Sequence, residues 1–337
     1  MKKKILFRAD GNESIGLGHL YRLLALVETY KKQYDFVFLT KENSTKSIIP
    51  KEYNLDSIPN DITIQQEPNW VCKKYPSKEF IIISDGYQFI SSYQKKVKEL
   101  GYKMIYIDDL ASELMYADVV VNHSPRIKPE DFKTQDYTKL ALGTKYALLR
   151  TEFLNQLSRI RPTIKQNNFF VCFGGSDSYR FSFKAVKSLL KQQQVDKIFV
   201  ILGAENNDLD LIELEKNYSD KVFLYKNLQA KELLNIMLSS QFAIVSSSTI
   251  LYELCCSNTV CLSGYYVNNQ KRIHDGFLMN KAIYSLGNIS KFEINDFTPK
   301  ITQLLSSKDH SIQLENQKTM FDANIKSRFL NLIKELC

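Results

Sequence analysis

The chain has 337 residues, 44% hydrophobic and 24% charged, with 20 Phe and 19 Tyr, which excludes a disordered or fibrous protein and leaves room for two hydrophobic cores. Its formal charge of +8 comes from scattered lysines with no nucleic-acid-binding module, so a solvated basic surface is expected and no nucleic-acid partner. No apolar run nears the ~20 residues of a membrane helix, the stretch Met1 to Phe7 is too short for a secretion signal, and the six cysteines form no C-x-x-C pair. A cytoplasmic protein with reduced thiols, no metal site and no membrane partner is therefore expected.

Strand-like and helix-like runs alternate along the first half, the pattern of an open α/β domain covered on both faces, here given the bounds 1–155. The first strand, Ile5 to Arg8, leads into a loop carrying Asp10, Gly16, Gly18 and His19. Leu20, Leu23, Leu24 and Val27 then follow at the spacing of a buried helix face. His19 thus sits at a helix N-terminus, where unpaired N–H groups and the peptide dipoles favour a phosphate or a developing oxyanion. The same field disfavours imidazolium, which suits a general base unless a carboxylate such as Asp10 stands close. A structural histidine in a Gly-rich turn is the competing reading. The dinucleotide fingerprint fits poorly because Tyr21 stands where its third small residue belongs, and no G-x-x-x-x-G-K-[ST] loop occurs. Further strands are predicted at Asp35 to Leu39, Ile62 to Gln65, Phe80 to Ser84, Met104 to Ile107 and Val119 to Asn122. Their carboxyl ends would bring Asp10, Asp85, Tyr87, Asp108, Asp109 and Asn122 to one rim, although such residues also serve as turn formers and caps.

The polar, basic stretch within Arg150 to Asn168 reads as a linker. A second α/β domain, 165–337, follows with strands predicted at Phe169 to Phe173, Lys197 to Leu202, Val222 to Tyr225, Phe242 to Ser246, Val260 to Leu262 and Ala282 to Leu286. A helical end at Ile312 to Cys337 is expected to pack back on the body of the protein. Two loops suit a diphosphate. In Phe173-Gly174-Gly175-Ser176-Asp177 paired glycines let backbone N–H groups approach a ligand; the alternative is an ordinary turn with Ser176 or Asp177 as a helix cap. In Ser246-Ser247-Ser248-Thr249 hydroxyls open a helix on which Glu253, one turn on, is placed to accept from ribose hydroxyls.

Together these segments resemble the UDP-2,4-diacetamido-2,4,6-trideoxy-β-L-altropyranose hydrolases of pseudaminic acid biosynthesis and their spore-coat polysaccharide relatives. The resemblance spans most of the chain. It is carried by R-x-D-x5-G-x-G-H-x2-R (Arg8, Asp10, Gly16, Gly18, His19, Arg22), Asp85-Gly86-Tyr87, Tyr146-Ala-Leu-Leu-Arg150, Phe173 to Asp177, Ser248-Thr249 with Glu253, and Asn269-Gln270. It implies a GT-B-like fold, two Rossmann-like open-sheet domains facing a cleft, and a metal-independent, inverting hydrolysis of a UDP-activated amino sugar with no cofactor. By the same resemblance His19 is the general base. Asp10, Gly18, Arg22, Tyr87, Asn269 and Gln270 belong to the sugar or water site, and Gly174, Gly175, Ser248, Thr249 and Glu253 hold UDP. One departure stands out: Gly86 occupies a position where a histidine is frequent in the family, which bears on the sugar accepted. His123 and His274 are read as buried or surface histidines rather than catalysts. A glycosyltransferase using the same base, a hydrolysing 2-epimerase and a non-catalytic nucleotide-sugar-binding protein are the alternatives.

Overall fold

A computed structural model describes residues 3–12, 14–159, 166–175, 177–203 and 206–337. The chain divides into two units, 1–151 with 324–337 and 152–323. Part of the expected linker, 160–165, lies outside the described residues; before it, Thr151–Gln156 is a short helix.

The first unit is built on a seven-stranded parallel sheet in the order Leu55–Ile58, Phe36–Lys41, Lys4–Ala9, Phe80–Asp85, Lys103–Ile107, Val119–Asn122, Lys139–Leu142. Its central strands are nearly continuous apolar runs because helices cover both faces; every residue of Phe80–Asp85 is buried. The chain first steps outward from Lys4–Ala9 through Phe36–Lys41 to Leu55–Ile58. It then returns to the other side, where Leu6 pairs with Ile82 and Ala9 with Asp85. That reversal opens a crevice beyond the carboxyl ends of these two strands, the place where open α/β sheets take ligands. The His19 loop follows one of the two strands and Asp85-Gly86-Tyr87 closes the other.

The predicted strand at Ile62 to Gln65 is a turn leading into the helix Glu67–Lys74, and the edge strand is Leu55–Ile58 instead. Ile62 and Ile64 still pack against the core, so their apolar character reports burial and not strand pairing. In the helix Gly18–Tyr30, Leu20, Leu23 and Val27 are buried as expected, Leu24 is half-buried, and Leu26 and Tyr30 complete the apolar face.

The second unit is a six-stranded parallel sheet in the order Val222–Lys226, Ile198–Leu202, Phe169–Cys172, Phe242–Ser246, Val260–Tyr265, Tyr284–Asn288. Its reversal falls between Phe169–Cys172 and Phe242–Ser246, the strands that precede the glycine and serine loops. The chain end forms two helices, Ser311–Met320 and Ile325–Leu336. The last belongs to the first unit and not to the second, to which the sequence reading assigns it. Ile325, Phe329, Leu332 and Ile333 are its buried stripe, Tyr30 Oη donates to the Phe329 carbonyl at 2.6 Å, and the Tyr146 and Phe329 rings meet edge to face. An amphipathic stripe requires an apolar partner but does not specify which one.

At Gly203, just past the strand Ile198–Leu202, the backbone comes so close to Gly175 that an added Cβ would fall 1.8 Å from the Gly175 carbonyl oxygen. Gly203→Ala is expected to destabilise the protein by on the order of 2 kcal/mol, read from urea unfolding midpoints. At Gly18 an added methyl meets open space, so Gly18→Ala should stay within about 0.5 kcal/mol.

Candidate active site

The loop before His19 is shaped by its own residues. Asn12 Oδ1 accepts from the Ser14 and Ile15 N–H groups at 3.0 and 3.1 Å, and Gly16, at a φ of +78°, donates its N–H to the Asn12 carbonyl at 2.8 Å. The helix then starts at Gly18 with no side-chain cap, leaving its first N–H groups without an intrahelical partner.

Below the loop lies a buried ionic brace. Arg8 Nη1 and Nη2 reach Asp10 Oδ1 and Oδ2 at 2.5 and 2.8 Å, while Nε and Nη2 reach Glu67 Oε1 and Oε2 at 2.7 and 2.9 Å. Tyr93 Oη also donates to Glu67 Oε1 at 2.8 Å. Asp10 accepts in addition from the Lys41 N–H at 2.7 Å, Thr40 Oγ1 at 3.1 Å and Gln88 Nε2 at 3.1 Å. Burial alone would raise the Asp10 carboxyl; Arg8 and these donors reverse that and hold it below the ordinary carboxylate range. Asp10 is thus tied to the sheet and not to His19. Gln88 reaches it across space that a side chain at Gly86 would occupy, since a Cβ there would lie 2.4 Å from Gln88 Oε1. The departure at Gly86 therefore has a local counterpart in Gln88.

His19 is paired with Asp85, whose Oδ1 stands 2.6 Å from Nδ1. Arg22, one helical turn on, approaches the same carboxylate through Nε at 2.8 Å and Nη2 at 2.7 Å, and grips Asp109 through Nη1 at 2.9 and 2.7 Å. Arg22 Nη2 also lies 2.8 Å from His19 Nδ1. The proton's place is assigned from the charges. A lone pair on Nδ1 would face the Asp85 carboxylate at 2.6 Å, so Nδ1 carries the hydrogen and both it and Arg22 donate to Oδ1. Nε2 is then the acceptor, and it has no hydrogen-bond partner among the described residues. The half-exposed Tyr87 stands edge-on to the imidazole with ring centroids 4.7 Å apart, its Oη 3.4 Å from Asp109 Oδ2. Burial alone would weaken the charge on Arg22 and raise the carboxyl of Asp109; Asp85 and then Asp109 reverse this for Arg22, and Arg22 reverses it for Asp109, so both stay ionised.

Behind this cluster His123 is buried, with Nδ1 accepting from the Leu148 N–H at 3.3 Å. Burial, with nearby Arg22 adding to it, drops its pKa to about 4, so it is neutral. Burial pushes the Asp108 carboxyl up; it accepts from the Ala111 N–H at 2.7 Å and from Asn122 Nδ2 at 3.4 Å. Of the rim residues, Asp85, Tyr87 and Asp109 meet around His19, while Asp108 and Asn122 pair beside them.

In the second unit Gly174 has a φ of +94°, a conformation that favours glycine, and a Cβ on Gly174 or Gly175 would meet nothing within 4 Å. Ser176 lies outside the described residues. Asp177 takes the capping role, its oxygens accepting from the Phe181 and Ser182 N–H groups at 2.9 and 2.8 Å. The helix Thr249–Cys256 opens directly after Ser248, whose side chain caps nothing, and Glu253 is buried on that helix. Ser247 Oγ is bonded to Ser263 Oγ at 2.8 Å, and the buried Ser246 Oγ has no partner among the described residues. Asn269 is exposed in the first turn of Asn268–Met279. Gln270, by contrast, folds onto its own turn, with Oε1 accepting from the Tyr266 N–H at 3.2 Å. His274 is buried, with Nε2 at 2.8 Å from Ser285 Oγ. Among the described residues no group of three His, Cys, Asp or Glu side chains is arranged to hold a metal ion, and no helix is long and apolar enough to cross a membrane.

No protein-family model matches the chain. It is 26% identical to UDP-2,4-diacetamido-2,4,6-trideoxy-beta-L-altropyranose hydrolase of Campylobacter jejuni, over 80% of this chain and 93% of that protein. It is 24% identical to the spore coat polysaccharide biosynthesis protein SpsG of Bacillus subtilis, over 83% of this chain and 82% of that one. The resemblance drawn from the motifs stands. An uncharacterized protein of Methanocaldococcus jannaschii is 28% identical over 82% of this chain, and the match spans 58% of that protein's length, less than two thirds. In fold, the chain is similar to MurG of Acinetobacter baumannii, with a TM-score of 0.68, 12% identity and 99% of each chain covered. The spinosyn rhamnosyltransferase SpnG gives a TM-score of 0.66 at 10% identity, again over 99% of each chain. The fold is thus of the GT-B type, two Rossmann-like α/β units.

The Asp85 partner of His19 and the Glu67 partner of Arg8 escape the sequence reading. Asp85 is visible there only as one of several strand-end acids, and Glu67, 59 residues from Arg8, leaves no local sign. Glu67→Ala takes one of its two carboxylate partners from the buried Arg8 and the acceptor from Tyr93 Oη, and is expected to destabilise the fold by about 3 kcal/mol in thermal melts. Glu79→Ala, at the exposed Lys4 pair, should cost under about 1 kcal/mol, read from thermal melts. For His123 the unfolded chain takes a proton near pH 6.5 and the folded one only near 4, so the unfolded state binds more protons between these values. Stability should fall as the pH drops from 6.5 to 4, by roughly 3 kcal/mol at most, and His123→Gln should flatten that part of a chemical-denaturation pH series.

Proposed function

We propose that the protein processes a UDP-activated amino sugar for polysaccharide biosynthesis. More specifically, it hydrolyses the anomeric C–O bond of UDP-2,4-diacetamido-2,4,6-trideoxy-β-L-altropyranose with inversion, in the route to pseudaminic acid. The observation that carries this reading is the His19–Asp85 pair at the reversal of the first sheet. It fixes the imidazole tautomer and leaves Nε2 to accept a proton. In the proposed step Nε2 takes a proton from a water molecule as the water oxygen forms its bond to the anomeric carbon. The bond from that carbon to the diphosphate oxygen breaks with its electron pair on UDP. Asp85 and Arg22 orient the base, Tyr87 lies against it, and Asp10 braces the loop in which Gly18 offers its backbone. Gly174, Gly175, Ser248 and Thr249 receive the diphosphate, with backbone amides and the helix N-terminus in place of a metal ion, and Glu253 takes the ribose. Asn269 reaches the sugar, and Gln270 shapes the turn that carries it.

The names of the Campylobacter and Bacillus relatives support the class of substrate. The fold shared with a rhamnosyltransferase supports a second reading, in which an acceptor hydroxyl replaces water at the same base. Phosphorus and proton NMR of the protein with the diacetamido sugar nucleotide distinguishes the two: the hydrolase releases UDP and an inverted free sugar without an acceptor, the transferase only with one. His19→Ala is expected to lower kcat at least ~100-fold with UDP affinity nearly intact, and Asp85→Asn to lower it by a smaller factor. Equal turnover in His19→Ala removes His19 from the mechanism.

A further inference from the structure

Beside Tyr87 the first unit holds a cavity of about 200 Å³. Its floor is apolar and buried, formed by Phe89 and Met115 with the Tyr106 ring. Tyr87, Ile90 and Leu110 stand on its rim and are 49%, 46% and 45% exposed, so three of the unit's exposed large apolar side chains gather at this one opening. Solvent-exposed apolar groups clustered on a concavity mark a ligand site. The charged groups that line it are Asp108 and Glu113, with no Lys or Arg, which disfavours a phosphate or carboxylate. Its polar atoms include Tyr106 Oη, which donates to the Gly86 carbonyl at 3.3 Å and keeps its lone pairs, and the exposed Ser112.

We infer that this cavity is a specificity pocket that receives a neutral acylamino substituent of the sugar, whose methyl meets the apolar floor and whose amide meets the polar wall. The inference rests on the proposed function. Tyr87 is the link, because the same ring forms the rim of the cavity and the edge-on neighbour of His19. A substituent in the cavity places the pyranose ring against Tyr87 and its anomeric carbon toward the base.

Ser112→Trp fills the opening from an exposed position, and Leu110→Ser removes an exposed apolar rim group, so both variants should keep the melting temperature of the parent. With UDP-2,4-diacetamido-2,4,6-trideoxy-β-L-altropyranose as substrate, Ser112→Trp should raise KM at least ~10-fold and Leu110→Ser by a few-fold, factors set by the loss of a well-filled apolar contact. The Kd for UDP alone, measured by titration calorimetry, should stay within about two-fold, since no nucleotide contact is altered. An unchanged KM in Ser112→Trp, with UDP still bound, overturns the pocket and leaves the proposed function standing. Failure of the parent protein to bind UDP at all overturns that function and the pocket with it.

Discussion

Two carboxylates at the ends of neighbouring strands, Asp85 and Asp109, are held together by a single guanidinium, and the candidate site depends on that contact. Without Arg22 the two acids would be desolvated like charges with no cation between them. With it, Asp109 is held below the ordinary carboxylate range, and Asp85 has an oxygen available for His19 Nδ1. Because Arg22 follows His19 by three residues, both side chains leave the same helix face, so the contact that neutralises the sheet edge also fixes the imidazole. Helix position, imidazole tautomer and acid charge state are therefore one constraint and not three.

The two units reach ligand-ready geometry by the same topology but with different chemistry. In each, the chain reverses direction across the sheet and leaves a crevice at the carboxyl ends of two adjacent strands. The first unit fills its crevice with side chains locked by buried ion pairs, an arrangement suited to moving a proton. The second offers backbone, with open space around Gly174 and Gly175 and an uncapped helix after Ser248, which suits holding an anion. Gly203, where a side chain would strike the Gly175 carbonyl, supports that loop from the end of the neighbouring strand.

What the sequence makes legible is largely what is local. Nearly continuous apolar runs such as Phe80 to Asp85 announce buried parallel strands, and the spacing of Leu20, Leu23 and Val27 announces the His19 helix. Edge elements are less visible: Leu55–Ile58 and Lys139–Leu142 are only four residues long and the first is half-polar, whereas Ile62 and Ile64 are apolar through packing alone. Pairings across the sheet leave no mark in composition, so Asp10, adjacent to the loop, is the natural candidate partner for His19 while Asp85, 66 residues away, is the actual one. Gln270 shows the converse, a motif residue whose side chain serves its own turn.

The chain leaves its first unit at residue 151 and returns to it at 324, so the second unit is an insertion between the sheet of the first and its closing helix. During synthesis all strands of the first sheet emerge before the second unit begins, but Phe329, whose backbone Tyr30 bonds and whose ring Tyr146 meets, emerges only after that unit is complete. The half of the protein that carries His19 must therefore wait, with an apolar face uncovered, until the ribosome has finished the other half. Its exposure to misassembly and to chaperones is set by the length of the insertion rather than by its own folding speed.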